Sequence, residues 1–194
     1  MLYLCNILAG YIVIIGGIFD TGMKKIGIIS DTHSYWDDRF AQYFADCDEI
    51  WHAGDIGNDD IADRLEQIAP VLRAVWGNAD GQTLRRRFKE MEIFETEGVK
   101  VVMTHIGGYP GRYAPGIRSR LQLSRPKVFV CGHSHILKVI PDRSLGVLVI
   151  NPGAAGRQGW QRVRTLITLT LDGGNVTHAQ VIELDDSHLD KKTQ

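Results

Sequence analysis

The sequence predicts an α/β domain in which two β-sheets pack face to face with helices on the outside. Three observations carry this expectation. Strand-like runs alternate with helical patterns early in the chain, hairpins dominate late, and the first strand is apolar almost throughout, as a strand buried on both faces must be. That strand, Lys24-Lys25-Ile26-Gly27-Ile28-Ile29, runs into Ser30-Asp31-Thr32-His33. Residues two apart on a strand point the same way, so a carboxylate and an imidazole aim together at one point beyond its end. Such a mixed oxygen and nitrogen pair suits a divalent metal.

Taken in order, Asp37 to Ala45 reads as a short helix with Phe40, Tyr43 and Phe44 on one face. Glu49 to Ala53 is the next strand and closes at Gly54-Asp55. Asp59 to Ile68 reads as a helix, acidic in its first turn as the macrodipole favours, with Pro70 after it. Val71 to Val75 is a third strand, ending at Gly77-Asn78-Ala79-Asp80. Ile93 to Glu97 and Val99 to Thr104 form a hairpin whose second member ends at His105. The glycine- and proline-rich run Gly107 to Gly116 reads as a loop, followed by a helix from Ile117 to Leu123. A strand from Pro126 to Cys131 leads into Gly132-His133-Ser134-His135. Leu137 to Ile140, Val147 to Ile150, Val163 to Leu171 and Val176 to Leu184 are further strands, the last two joined by a turn at Asp172 to Asn175.

With 194 residues the chain is long enough for one domain with a sizeable core. A formal net charge of −1 provides no basic field, so extended nucleic acid is not an expected partner. Cys5, Cys47 and Cys131 show no paired spacing, which fits buried thiols in a reducing, cytoplasmic setting better than a disulfide framework. Residues 1–22 are read as an extension outside the functional core, 23–184 as the domain, and 185–194 as a polar tail. Met1 to Phe19 carries no charge, so a membrane anchor is the alternative reading of that segment, although it lacks a basic leader region. An exposed apolar strand edge would favour a homodimer.

Five strand ends carry ligand-type side chains: Asp31 and His33, Asp55, Asn78, His105, and His133 with His135. They stand about one strand–helix–strand unit apart, and functional crevices in such folds lie outside the carboxyl ends of the strands. Carboxylate, carboxamide and imidazole without thiolate suit a pair of divalent first-row metals. These blocks, from Asp31-x-His33 through Gly54-Asp55, Gly77-Asn78 and His105 to Gly132-His133-x-His135, resemble the five blocks of the calcineurin-like metallophosphoesterases. The spacing and the Met23-Lys24-Lys25-Ile26-Gly27 start are most similar to the small bacterial and archaeal phosphodiesterase subfamily.

The resemblance implies a four-layer α/β/β/α sandwich of two mixed β-sheets flanked by helices. It implies one metal held by Asp31, His33, Asp55 and His135, and a second by Asp55, Asn78, His105 and His133, with Asp55 bridging. It further implies hydrolysis of a small or nucleotide-like phosphodiester by a metal-bridging hydroxide, with Asp55 and Asn78 in the catalytic group. Manganese is the expected metal, with iron, zinc, nickel or magnesium as alternatives. Ala79 departs from the pattern, since much of the superfamily has a histidine there as general acid. The alternative function is a protein-binding scaffold similar to the retromer subunit built on this fold, whose kind has lost part of the histidine set.

Four more residues are candidates for contacts around the site. His52 could bond a ligand or substrate oxygen or merely pack beside Trp51; Asp80 could orient a neighbouring group or be a plain turn carboxylate. Arg112 and Arg118 flank the glycine-rich loop and could meet a substrate phosphate. Arg85-Arg86-Arg87 is read as a solvated helix face.

Overall fold

The structure, a computed structural model, describes residues 22–184 together with the backbone of 11–14 and 17–20. The expected tail and most of the N-terminal extension lie outside the described residues. Two short strands, β1 (Tyr11–Ile14) and β2 (Gly17–Asp20), pair antiparallel as a ribbon separate from the main sheets. Among the described residues no helix is long and apolar enough to cross a membrane.

The strand that opens the domain, β3 (Lys24–Ile29), pairs parallel with β4 (Glu49–His52), which pairs parallel with β5 (Val71–Ala74). Between them run α1 (Arg39–Phe44) and α2 (Asp59–Glu66). The second helix starts where the Asn58 side chain accepts from the Ile61 N–H, and it turns Ile61, Ala62 and Leu65 inward. After the short helix α3 (Gln82–Arg87), the hairpin β6 (Met91–Thr96) and β7 (Val99–Thr104) turns at Glu97 and Gly98. Both turn residues have positive φ, as a two-residue turn of matching twist requires.

The predicted loop at Gly107 to Gly116 holds a small hairpin, β8 (Gly108–Tyr109) with β9 (Arg112–Tyr113), ahead of α4 (Ile117–Ser124). The last strands are β10 (Val128–Val130), β11 (Lys138–Asp142), β12 (Val147–Asn151), β13 (Arg164–Asp172) and β14 (Asn175–Leu184). They complete two five-stranded sheets, ordered β14-β13-β3-β4-β5 and β11-β12-β10-β7-β6. Both are mixed, because β13 runs antiparallel to β3, and β6 and β11 antiparallel to their neighbours.

Strand alternation explains the layering. Ile26 and Ile28 face the other sheet and pack with Trp51, Val101, Met103, Val128 and Val130. Ile29 faces outward into a cluster with Phe40, Phe44, Ile61 and Leu65 from the first two helices. On the opposite sheet Phe129 and Val102 meet Ile117 and Leu121 of α4. Each such side chain contributes roughly 1.5–3 kcal/mol by leaving water, so three clusters stacked across the molecule fix four layers, α/β/β/α.

Candidate metal centre

The loops that leave β3, β4, β5, β7 and β10 all open at one end of the sandwich, three from one sheet and two from the other. The chain turns sharply there. Asp31, His33, Asp55, His133 and His135 all have positive φ, between 47° and 68°. A non-glycine residue in that region costs about 1–3 kcal/mol, so five together are a large fraction of a domain's net stability of about 5–15 kcal/mol. Strain on that scale persists only where the surroundings over-determine it, and clusters of it are found at active sites and ligand clamps. Close backbone approach adds to it: a Cβ on Gly132 would stand 2.0 Å from Ser30 Oγ, and one on Gly77 2.1 Å from Asp55 Oδ1.

Two carboxylates form the floor, and both are buried. One oxygen of each is tied to the protein. Asp31 Oδ2 accepts from Ser30 Oγ at 2.7 Å and from the His133 N–H at 3.1 Å, while Asp55 Oδ1 accepts from the Ala79 N–H at 2.8 Å. The other oxygens face three imidazoles. Asp31 Oδ1 lies 3.2 Å from His135 Nε2, 3.9 Å from His105 Nε2 and 4.0 Å from His33 Nε2. Asp55 Oδ2 lies 3.2 Å from His105 Nε2 and 3.8 Å from His33 Nε2. The Nε2 atoms of His33 and His135 are 3.4 Å apart.

The far nitrogens decide what these rings offer. His105 Nδ1 lies 2.8 Å from the Ala53 carbonyl, which can only accept, so that nitrogen carries the proton. His135 Nδ1 lies 2.9 Å from Gln161 Oε1, and the Gln161 amide is oriented by donating to the Gly156 and Gln158 carbonyls. In the neutral rings both Nε2 lone pairs therefore point at carboxylate oxygens. Asp31 Oδ1 and His105 Nε2 are buried without a hydrogen bond of acceptable geometry. Acceptors turned on one another at this spacing need a cation between them. Ligand atoms of Asp31, His33 and His135 come within 4.8 Å of one another, as do those of Asp31, Asp55 and His105. The donor set fits a divalent metal.

Titration follows the same geometry. Burial would lower the pKa of His105, but the Asp55 and Asp31 carboxylates and the Ala53 carbonyl outweigh it and raise it. The Asp31 carboxylate and Gln161 raise that of His135 against burial. Burial would raise that of Asp55, but His105, the Ala79 N–H and His33 bring it down.

The remaining expected ligands sit at the rim. The His133 ring packs edge-on against His105 at 5.3 Å between centres. Asn78 is exposed and shares with His105 a cavity of about 470 Å³, which Ile106 and Arg120 also line. Arg112 lines a smaller cavity beside His133. Arg118 is exposed on α4.

Supporting groups link the loops. His52 is fully buried, accepts at Nδ1 from the Gly54 N–H at 3.2 Å, and so donates from Nε2 to Thr32 Oγ1 at 2.9 Å. Burial holds its pKa down to about 4, so it is a neutral strap between the Asp31 and Asp55 loops. Asp80 is more than a turn carboxylate: it is buried and accepts from the Gly57 and Gly77 N–H groups, tying the Asp55 loop to the Asn78 loop. Asn151 pins the His133 loop through Gly132 O at 2.7 Å. Of the arginine run, Arg85 stacks on Trp76 and donates to Asp80 O, and Arg87 pairs with Asp63 and Glu66. Sequence reasoning missed Ser30, Gln161 and Arg120, which carry no motif of their own.

Comparison with known proteins places this geometry. The model of the calcineurin-like phosphoesterase superfamily domain matches residues 23–174. A probable metallophosphoesterase of Methanocaldococcus jannaschii is 34% identical over 144 residues, covering 69% of each chain. Among solved structures, an archaeal phosphodiesterase superposes with a TM-score of 0.66 at 24% identity, over 82% of this chain and 99% of its own. Vacuolar protein sorting 29 of Cryptosporidium parvum gives 0.65 at 17% identity, over 84% and 99%. At those identities the two structures share the fold.

Proposed function

The chain belongs to the calcineurin-like phosphoesterase superfamily, a metal-dependent phosphoesterase by that membership, and from this premise we propose that it is a phosphodiesterase with a two-cation centre. One cation would be held by Asp31, His33, Asp55 and His135, the other by Asp55, Asn78, His105 and His133. When bound, such cations neutralise phosphate oxygens and acidify water near neutral pH, and manganese is the first metal to test. The observation that carries the reading is the convergence of unsatisfied acceptors: Asp31 Oδ1 and His105 Nε2, both buried, beside Asp55 Oδ2 and the Nε2 atoms of His33 and His135.

The chain's own residues do the rest. Ala53 and Gln161 hold His105 and His135 in the tautomer that presents a lone pair. Ala79 and Ser30 hold Asp55 and Asp31 by one oxygen each, leaving Asp55 Oδ2 and Asp31 Oδ1 turned toward the imidazoles, where they would meet a cation. His52 and Asp80 keep three ligand loops in register. The substrate we infer is a small or nucleotide-like phosphodiester, reaching the centre from the cavity that Asn78 and His105 share. Every ligand position of the motif is filled, which favours an enzyme over a binding scaffold. Hydrolysis of bis(p-nitrophenyl) phosphate with added Mn²⁺ tests the reading against Asp55→Asn. Turnover in the wild type that the variant loses supports it; no metal-dependent turnover in the wild type refutes it.

A further inference from the structure

Resting on the phosphodiesterase reading, we propose that the cavity on the far side of His133 is a subsite for a second phosphate carried by the same substrate molecule. The cavity holds about 180 Å³ and lies between the Gly132-His133-Ser134 turn and the β8–β9 hairpin. Two cationic side chains, Arg112 and Lys138, line it, and no aspartate or glutamate does. Neither cation has a carboxylate partner among the described residues. Lys138 Nζ rests 4.5 Å over the Tyr109 ring, and Arg112 stands opposite Tyr109 in the hairpin register. An aromatic face attracts a cation but leaves its charge in place.

Two uncompensated charges facing one partly enclosed space concentrate positive potential there, and a guanidinium fork matches phosphate oxygens in pairs. The cavity is also built before any ligand arrives. Tyr113 of the same hairpin donates its hydroxyl to Asp142 at 2.8 Å, stapling the hairpin to the far end of β11, whose first residue is Lys138. Asp142 lies four residues along the extended strand from Lys138, about 13 Å away, and forms no ion pair with it among the described residues. The staple holds the hairpin backbone that carries Arg112 in place without a ligand, which preserves affinity. His133 borders the cavity and packs against His105, so a group bound there sits one side chain from the metal ligands. The substrate class this fits is a diester bearing a separate phosphate monoester, as a nucleoside bisphosphate ester does.

The test compares two esters with one leaving group, thymidine 5′-(p-nitrophenyl phosphate) with and without a 3′-phosphate, on the full chain with Mn²⁺. The wild type should favour the 3′-phosphorylated ester by tenfold or more in kcat/KM. The double variant Arg112→Gln/Lys138→Gln should bring that ratio close to one, an effect that a general loss of folding or metal would not give. No preference in the wild type, or a ratio unchanged in the variant, overturns the subsite. A second arm reads inorganic phosphate binding to the chelated protein by phosphorus NMR. Saturable broadening lost in the variant supports the subsite, and equal broadening in both overturns it. If neither ester is hydrolysed, the phosphodiesterase reading fails, and the phosphate arm still judges the subsite.

Discussion

The backbone N–H of Ala79 donates to Oδ1 of Asp55 at 2.8 Å, across a gap of 24 residues in sequence. The position that lacks the general acid of much of the superfamily thus orients a carboxylate of the proposed metal centre through its main chain. The Ala79 side chain is exposed and free to change.

Ala79→His should therefore add an acid without disturbing Asp55. General acid help is worth about 10²–10⁴-fold, and it matters most where the leaving oxygen is basic. Turnover of alkyl esters should rise by roughly tenfold or more, with nitrophenyl esters changed only a few fold. The measurement is the dependence of kcat/KM on leaving-group pKa. It should become flatter in the variant, and an equal effect on both ester classes would refute the assignment.

Gln161→Leu removes the acceptor that fixes the His135 tautomer. Loss of such a partner typically weakens metal binding by about 10–100-fold. Competition with a fluorescent chelator should show one cation released earlier than in the wild type, and Gln161→Glu should restore or strengthen its retention. Identical retention in Gln161→Leu and the wild type would mean that Gln161 merely closes its loop through Gly156 and Gln158.

Gly132→Ala places a Cβ 2.0 Å from Ser30 Oγ and 2.8 Å from Asp31 Oδ2. Overpacking of this kind costs about 1–3 kcal/mol, roughly 3–10 °C in Tm for a domain of this size. The displaced Asp31 should also hold metal more weakly. Ser30→Ala in the same chain removes the nearest clash and should recover part of the Tm. Thermal unfolding of the two variants side by side reads both effects, and no drop in the single variant would contradict the tight packing seen here.

These cases show which part of the site could be read from the chain. The proposed ligands such as Asp31 and His133 stand where a buried strand ends, and that position is written in the local pattern of apolar residues and glycine. The layers followed for the same reason, because Ile28 and Ile29 alternate across β3. Asp80 stood between an orienting group and a plain turn carboxylate and Gln161 was not legible at all, since Gly57 and His135 lie 23 and 26 residues from them and no periodicity marks the pairings. His52 stood between two readings until the Gly54 N–H fixed its tautomer. Arg85 was read as a solvated face because its Trp76 neighbour is nine residues earlier, off any helical spacing.

Removing the cations should make stability depend on pH in a defined direction. His105 and His135 have raised pKa values in the fold. A raised folded value contributes stability that is full below the unfolded histidine value of about 6.5 and is lost as pH rises through the folded value. His52 acts the other way. Its folded value of about 4 leaves stability full above about 6.5 and erodes it as pH falls from there toward 4. Chelated protein should therefore unfold most reluctantly near pH 6.5. Added Mn²⁺ should raise Tm increasingly above that point, because cations then replace the protons that held the imidazoles and carboxylates together. Scanning fluorimetry from about pH 5 to 9, with and without chelator, reads the difference. A chelated Tm that stays flat above pH 6.5, or a metal-induced rise that shrinks as pH increases, would show that these histidines do not share the carboxylates in the way their distances imply.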